Sequence, residues 1–300
     1  MSDHPLPAHG LYLIDASIYL FRAWFSYPPE MTNGEGRPVN AVYGYANFLC
    51  QLLERARPEH LAAAFDLSLT TSFRNDIYPP YKGNRELPPP ELEWQMTIAR
   101  DLTEAMGVAV HASEVYEADD LIGTLATSMR KEGFPAVIVS ADKDLAQLLD
   151  DGDVLWDFAR DRREDGAAVA ERMGIRPRQV ADFLALTGDK VDNIPGVPGI
   201  GPKTAAALLS HFDSLDGLFD RLDEIAARPI RGAKGIGAKL RDHEGQIRLA
   251  RRLTGIHTAA PVHAAPQDLR WKRPNSDGLN EIFDQLGFGR GLRERCLQLA

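Results

Sequence analysis

Short apolar runs alternate with helix-spaced apolar positions through the first half of the chain. Leu11–Ile14, Leu61–Phe65 and Ala136–Val139 are brief, continuous and bounded by polar or Pro/Gly residues, the pattern of strands buried on both faces. Ala41–Arg55 and Asp119–Arg130 instead place apolar residues every three or four positions, as one face of a helix requires. Weaker strands are predicted at Val108–Val110 and Val154–Trp156. The alternation predicts an α/β fold, a mostly parallel sheet flanked by helices. Beyond about Gly174 the β-branched runs give way to short helical patterns separated by Gly and Pro. The expected organisation is an α/β domain over residues 1–173 and a smaller all-helical domain over 174–300.

Three segments interrupt this pattern. Tyr78–Pro90 holds five prolines among basic residues and is expected to be a long, stiffened loop. Asp161–Asp165 is charge-dense and is expected to be a solvated turn. Gly199-Ile200-Gly201-Pro202-Lys203 recurs weakly as Gly235-Ile236-Gly237-Ala238-Lys239.

Composition narrows the class. With 300 residues, 44% hydrophobic and 26% charged, the chain has the profile of an ordinary globular protein. Its two cysteines, Cys50 and Cys296, cannot by themselves supply a disulfide framework or a zinc site. No apolar run has the length of a membrane span, and Met1–Gly10 lacks a signal-peptide core. The expectation is a reducing, cytoplasmic setting without membrane attachment. A net charge of −9 argues at first against a nucleic-acid partner, unless the acids are gathered in one metal site.

Their positions suggest that they are. Asp15 and Asp66 close the first two strands, and Asp142 follows the strand ending at Val139. In a parallel sheet all three project from one edge, where doubly wound folds build their sites. Glu117, Asp119 and Asp120 open a helix, Asp144 follows Asp142, and Asp189 and Asp192 flank Lys190-Val191 in the second domain. Singly, each has an ordinary reading as a helix cap, an Asx-turn or a complement to a helix dipole. Together, so many acids around one crevice would repel severely unless cations neutralised them. Hard oxygen ligands select Mg²⁺ or Mn²⁺, and a pair of such ions suits in-line phosphodiester hydrolysis.

Cations complete the pattern. Arg74, Lys82 and Arg85 are interleaved with Phe73, Tyr78 and Tyr81, a mixture suited to phosphate and unpaired base as well as to a solvated loop. Arg228, Arg231, Lys234, Lys239, Arg241, Arg248, Arg251 and Arg252 form a basic stretch that is either a solvated face or a duplex contact. It adjoins a glycine hairpin running from Pro195 to Ala205, in which Gly196, Gly199 and Gly201 precede Lys203 and Thr204. Glycines and a helix N-terminus permit close approach to a phosphate. The spacing is not that of a nucleotide P-loop and looks like a helix-hairpin-helix clamp on DNA backbone.

At these residues the chain resembles a known family, the bacterial 5′ nucleases of the flap endonuclease superfamily, in particular the N-terminal 5′→3′ exonuclease domain of DNA polymerase I. The strings are Leu13-Ile14-Asp15, Ala64-Phe65-Asp66, Ser72-Phe73-Arg74 and Tyr81-Lys82-Gly83-Asn84-Arg85. They continue with Tyr116-Glu117-Ala118-Asp119-Asp120, Ser140-Ala141-Asp142-Lys143-Asp144-Leu145, Leu186-Thr187-Gly188-Asp189, Asp192-Asn193-Ile194-Pro195-Gly196 and Leu286-Gly287-Phe288-Gly289.

The resemblance implies a PIN-like or resolvase-like domain followed by a helix-three-turn-helix domain. It implies one metal served by Asp15, Asp66, Glu117, Asp119 and Asp120, and a second by Asp142, Asp144, Asp189 and Asp192. Lys82 and Arg85 would arch over the site as catalytic cations, alongside Asp15, Asp66 and Asp142, and Tyr81 would stack on a terminal base. The Gly196–Ala205 hairpin would grip duplex backbone, with K⁺ on its loop carbonyls. DNA contacts would extend over Arg74, Lys203, Thr204, Lys239, Arg248, Arg251 and Arg252. Lys190 stands where relatives usually carry a small residue.

The expected function is therefore a monomeric, structure-dependent 5′→3′ exonuclease and 5′-flap endonuclease, acting on 5′ flaps, nicks and 5′ ends and leaving 5′-phosphates. The chain has no room for polymerase or proofreading modules, so a stand-alone nuclease is expected. The rival readings are a metal-dependent ribonuclease and a non-catalytic binder of branched DNA.

Overall fold

The computed structural model describes residues 4–67 and 70–299. Among them, six strands form one sheet: β1 (Leu11–Asp15), β2 (His60–Asp66), β3 (Ala109–Ser113), β4 (Ala136–Val139), β5 (Val154–Asp157) and β6 (Arg162–Glu164), in spatial order β3-β2-β1-β4-β5-β6. All pair in parallel except β6, which runs antiparallel to β5. The α/β expectation holds, including both weaker strands. The chain builds outward from β1 through β2 to β3, then crosses back to place β4 on the other side of β1. The crevice at the carboxyl ends of β1 and β4 is thus a topological switch point, where open α/β sheets bind their ligands.

Helices α1 (Ala16–Ser26), α2 (Asn40–Ala56), α3 (Phe73–Ile77), α4 (Pro90–Ala105) and α5 (Ala118–Arg130) connect the strands, and α6 (Gly166–Met173) follows the sheet. The second half is helical: α7 (Val180–Thr187), α8 (Pro202–Phe212), α9 (Leu215–Asp220), α10 (Ala233–Asp242), α11 (Glu244–Thr254), α12 (Ser276–Leu286) and α13 (Arg290–Leu297).

Alternation along the strands divides the core in two. Tyr12, Ile14, Leu61, Ala63, Phe65, Val137 and Val139 face α1, α2 and α4. Leu11, Leu13, Ala62, Ala64 and Ile138 face α5, and that cluster runs on without interruption into Val180, Leu184, Leu208, Leu240 and Leu253 of the helical half. The halves share a core rather than meeting through a linker. Leu279, Phe283, Leu286, Leu292 and Cys296 of α12 and α13 return to the opposite cluster, against α2 and α4. The chain after residue 173 therefore serves both faces of the first domain's sheet. Cys50 and Cys296 are free and buried in that second cluster.

Two local expectations are corrected. Asp161–Asp165 is not a solvated turn: Arg162–Glu164 forms the edge strand β6. Its charges are absorbed locally, with Arg163 over the Trp156 ring at 4.7 Å and Glu164 accepting from Arg172 Nε at 2.6 Å. The glycine repeat also splits into two conformations. Its first copy, bracketed by Pro198 and Pro202, is a loop that ends at α8, whereas the second lies inside α10, where no proline interrupts the helix.

Phe283 is fully buried between α12 and the α/β half. Phe283→Ala is expected to lower unfolding free energy by about 3–5 kcal/mol in urea titrations, the usual range for truncating a core phenylalanine. The transition should stay single, because α12 completes a core that the sheet cannot close alone.

Candidate active site

The carboxylates sit on the carboxyl edge of the sheet because β1 and β2 each end in aspartate and β4 leads directly into Ser140 and Asp142. Asp15 caps α1 by accepting from Ile18 N at 3.2 Å, and its other oxygen accepts from Ser140 Oγ at 2.8 Å. Asp66 accepts from Ala118 N at 2.8 Å, while its own amide donates to Ser17 Oγ. Asp142 accepts from Asp144 N at 2.8 Å, which turns the chain and presents both carboxylates to one cleft. The ordinary capping and turn roles are therefore real. They are also what fixes the acids in place.

Glu117, Asp119, Asp142, Asp144, Asp189 and Asp192 line one narrow cleft of about 30 Å³, with Tyr81, Gln147 and Thr254 on its wall. Asp15 and Asp66 lie behind it and act electrostatically on Asp119. Burial, reinforced by Asp66, pushes Asp15 up to about 7. Burial, reinforced by Asp142, raises Asp144 likewise to about 7. Burial also raises Asp66, Asp119 and Asp142, with neighbouring carboxylates adding to each shift. Glu117 behaves oppositely: burial disfavours its charge, but Lys82 and Arg74 outweigh that and hold it below the ordinary value.

Lys82 and Arg85 each pair with a carboxylate that lines this cleft. Lys82 Nζ donates to Glu117 Oε2 at 2.7 Å, and Arg85 pairs with Asp192. Burial opposes the charge on Lys82, yet Glu117, Asp192 and Asp66 keep its ammonium above the ordinary lysine value.

The donor set fits a hard divalent cation. It is made of carboxylate oxygens, it is short of positive charge, and Asp144 Oδ1 is buried with no hydrogen-bond partner. Among the described residues, no group of three or more His, Cys, Asp or Glu side chains is already closed around an ion position. Glu117 and Asp192 are turned instead toward Lys82 and Arg85.

Several expected roles are corrected. Asp120 is completely buried, receives both terminal nitrogens of Arg74 at 2.7 and 2.8 Å, and also accepts from the amides of Glu117 and His257. It holds the site's wall rather than facing the cleft. Arg74 is equally buried and donates further to the carbonyls of Leu253 and Gly255, so it is no DNA contact. Tyr81 does not present a ring for stacking: it is 3% exposed, and its hydroxyl lies 3.1 Å from both Glu117 and Asp192.

The basic stretch is largely spent on internal pairs. Arg248 and Arg251 pair with Asp216, and with Glu244 and Asp182 respectively, while Arg228 pairs with Glu224 and Arg241 with Asp223. Among the described residues, Lys203, Arg231, Lys234 and Arg252 are exposed and have no carboxylate partner.

The glycine hairpin lies between α7 and α8. Gly196 is required by backbone packing, since a Cβ there would stand 2.2 Å from Thr187 O, and Gly199 by its positive φ of 80°. Gly201 faces open space at the start of α8, beside Lys203 and Thr204. The K⁺ expected on this loop meets carbonyls already engaged: Pro198 by Lys239 Nζ at 2.7 Å, Pro195 and Gly196 by Gln246. Lys239 is thereby an internal tether rather than a free DNA contact.

Sequence reasoning missed Ser140, which donates to Asp15 and accepts from Asp142 N, and Ser17, which accepts from Asp66 N. The signal was their position, Ser17 two residues after the aspartate that ends β1 and Ser140 directly after β4.

A doubly wound sheet with carboxylates at its switch point, closed by a helical half bearing more, defines a hydrolase-type acidic site. The family described as 5′-3′ exonuclease, N-terminal resolvase-like domain, matches residues 10–174, and its partner, the 5′-3′ exonuclease C-terminal SAM fold, matches residues 175–277. The chain belongs to the 5′-3′ exonuclease family and is an enzyme of that class. It is 38% identical to DNA polymerase I of Bacillus subtilis over 283 residues, covering 93% of this chain and 31% of that protein. With DNA polymerase I of Mycobacterium bovis it shares 39% over 291 residues, covering 95% and 31%. The chain thus spans about a third of the length of these relatives. A zinc-bound T5 5′-exonuclease superposes with a TM-score of 0.68 at 18% identity, covering 96% of this chain and 97% of that one. The catalytic core of Rad2 in complex with DNA substrate superposes at 0.62 with 14% identity, covering 97% and 92%.

Two predictions follow from the electrostatics. A carboxyl whose folded pKa exceeds its unfolded value stabilises the fold while protonated. For Asp15 and Asp144 that stabilisation is complete below the ordinary value of 3.8 and is lost as pH rises through about 7. The melting temperature in EDTA should therefore fall between about pH 5 and pH 8, and Mg²⁺ should raise it most at the upper end. A flat metal-free profile would contradict this. Separately, Arg74→Leu should cost about 3–5 kcal/mol in urea unfolding by stranding the Asp120 charge, and adding Asp120→Leu should recover only part of that loss, because the amides of Glu117 and His257 then lose their acceptor.

Proposed function

We propose that this chain is a structure-dependent 5′→3′ exonuclease and 5′-flap endonuclease, hydrolysing DNA phosphodiesters with two divalent cations, Mg²⁺ or Mn²⁺, and leaving 5′-phosphates. The observation that carries this reading is the convergence of six carboxylates from both halves on one switch-point crevice, with Asp15 and Asp66 coupled electrostatically to it and Lys82 and Arg85 paired to two of its carboxylates. Structures of similar fold add support: T5 5′-exonuclease with divalent zinc, the T5 D15 flap endonuclease variant with DNA and metal ions, and Rad2 with DNA substrate.

Asp15, Asp66, Glu117 and Asp119 would hold one cation, and Asp142, Asp144, Asp189 and Asp192 the other. Such cations acidify water and offset charge on a departing oxygen. Lys82, whose ammonium stands 2.7 Å from Glu117 Oε2, would supply the chain's own charge stabilisation. Exposed Lys203 and the open N-terminus of α8 beside Gly201 would take duplex phosphates, contacts that carry no sequence information. Among the described residues no helix is long and apolar enough to cross a membrane. Two free buried thiols suit a reducing cytoplasm, and the reading is of a monomer.

Labelled 5′-flap, nicked, blunt and single-stranded DNA, with a matched RNA flap, test the reading. Cleavage of the DNA flap and nick in Mg²⁺, abolished by EDTA, is expected. Activity surviving EDTA, or a preference for RNA, would overturn it. Lys82→Ala should lower the single-turnover rate by roughly 10²–10³ while changing KM little, as for loss of one preorganised donor at a developing charge. An unchanged rate would remove Lys82 from the chemistry.

A further inference from the structure

Lys82 belongs to a segment with little structure of its own. Between α3 and α4 the chain is turns and prolines, and Lys82 itself sits at a positive φ of 53°. The α/β half holds it through Asn75 Nδ2 on Tyr81 O and through Tyr81 and Lys82 on Glu117, and the helical half supplies the rest. Residues 189–194, following α7, form a tight hairpin closed by paired amide–carbonyl bonds between Asp189 and Ile194, at 2.8 and 2.7 Å. Asp189 Oδ1 accepts from Val191 N at 2.8 Å inside it.

Three consecutive carbonyls on this hairpin are taken by the Lys82 segment. Lys190 O accepts from Asn84 Nδ2 at 2.9 Å, Val191 O from Arg85 Nε at 3.4 Å, and Asp192 O from the Lys82 amide at 3.0 Å. Asn193 returns the contact, its Nδ2 donating to Pro80 O at 2.8 Å. Asn193 has a positive φ of 58°, a conformation asparagine tolerates better than most residues, and this conformation aims its amide across the gap. Only the backbone of Lys190 enters the contact, and its side chain points to solvent. That accounts for a lysine being accommodated between the aspartates.

We infer that Asn193 and Asn84 are positioning residues for Lys82: they dock the loop carrying it onto the hairpin of the helical half, and so set where its ammonium stands relative to the carboxylate cleft. The hairpin runs directly into Pro195–Gly201, the glycine loop at the start of α8, so the surface read here as the duplex grip and the support of the catalytic cation are one continuous piece of chain. The inference rests on the proposed role of Lys82 in the chemical step.

Asn193→Gly keeps the positive φ and removes only the amide, so it isolates the contact from backbone strain. Asn193→Gly and Asn84→Ala should each lower the single-turnover rate of 5′-flap cleavage in Mg²⁺ by about tenfold, a change of the size that loss of one positioning contact produces. Flap affinity measured in Ca²⁺ should be unchanged. Limited trypsin digestion without DNA should show faster cutting after Lys82 and Arg85. The decisive comparison is Asn193→Gly in the Lys82→Ala background, where no further loss of rate is expected because the positioned group is gone.

An equal tenfold loss in that background would overturn the inference, since Asn193 would then act independently of Lys82. Unchanged tryptic protection in Asn193→Gly, or a full parental rate in Asn193→Gly when Lys82→Ala is slow, would also overturn it. If Lys82→Ala itself cleaves at the parental rate, the underlying role of Lys82 fails, and that outcome is recognisable separately.

Discussion

Carboxylates crowded into a small, dry volume repel one another, and each is denied the water that would stabilise its charge. Asp15, Asp66, Asp119, Asp142 and Asp144 all show the result, with proton affinities raised by burial and by neighbouring carboxylates. Much of the surrounding structure exists to make that crowding tolerable. Helix caps and serine hydroxyls take some of the lone pairs, Arg74 cancels Asp120 outright, and Lys82 and Arg85 reach in from a loop. An arrangement so short of positive charge is unfavourable for stability and well suited to binding cations.

The same cations show why position in the chain is a poor guide to role. Arg74 and Lys82 lie eight residues apart in one basic-aromatic segment. Arg74 falls on a short helix packed against Asp120 and becomes part of the interior, whereas Lys82 falls on the loop beyond and enters the cleft. One is a structural ion pair that costs more to break than it contributes by being formed. The other holds its ammonium 2.7 Å from Glu117 at the cleft, where the proposed reading would have it meet a phosphate.

Much of the fold was legible because the strands announce themselves. Val137-Ile138-Val139 and Leu61–Phe65 are too short and apolar to be anything but buried strands between helices, and an aspartate at the end of each of β1 and β2 locates the edge that matters. What the pattern could not convey was partnership across the fold. Asp120 and Asp119 are adjacent and chemically identical, yet one is turned inward to Arg74 and the other lines the cleft, a difference set by helical phase at the start of α5. Arg248 and Arg251 lie in a basic stretch that reads equally as a solvated face or a duplex contact, and only the fold brings Asp216 and Asp182, distant in sequence, beside them. The return of α12 and α13 to the first domain was equally hidden, since an amphipathic helix shows that it has a buried face without showing where.

The hydrophobic cluster that passes unbroken from the sheet into the helical half has a mechanical meaning. Two bodies that share a close-packed interior have no seam about which to hinge. The span from the glycine loop at α8 to the switch-point crevice is consequently a fixed length. On the proposed reading, a duplex held at one end would present its strand to the other at a set number of nucleotides from the junction, and the molecule would work as a caliper whose jaws were fixed when it folded.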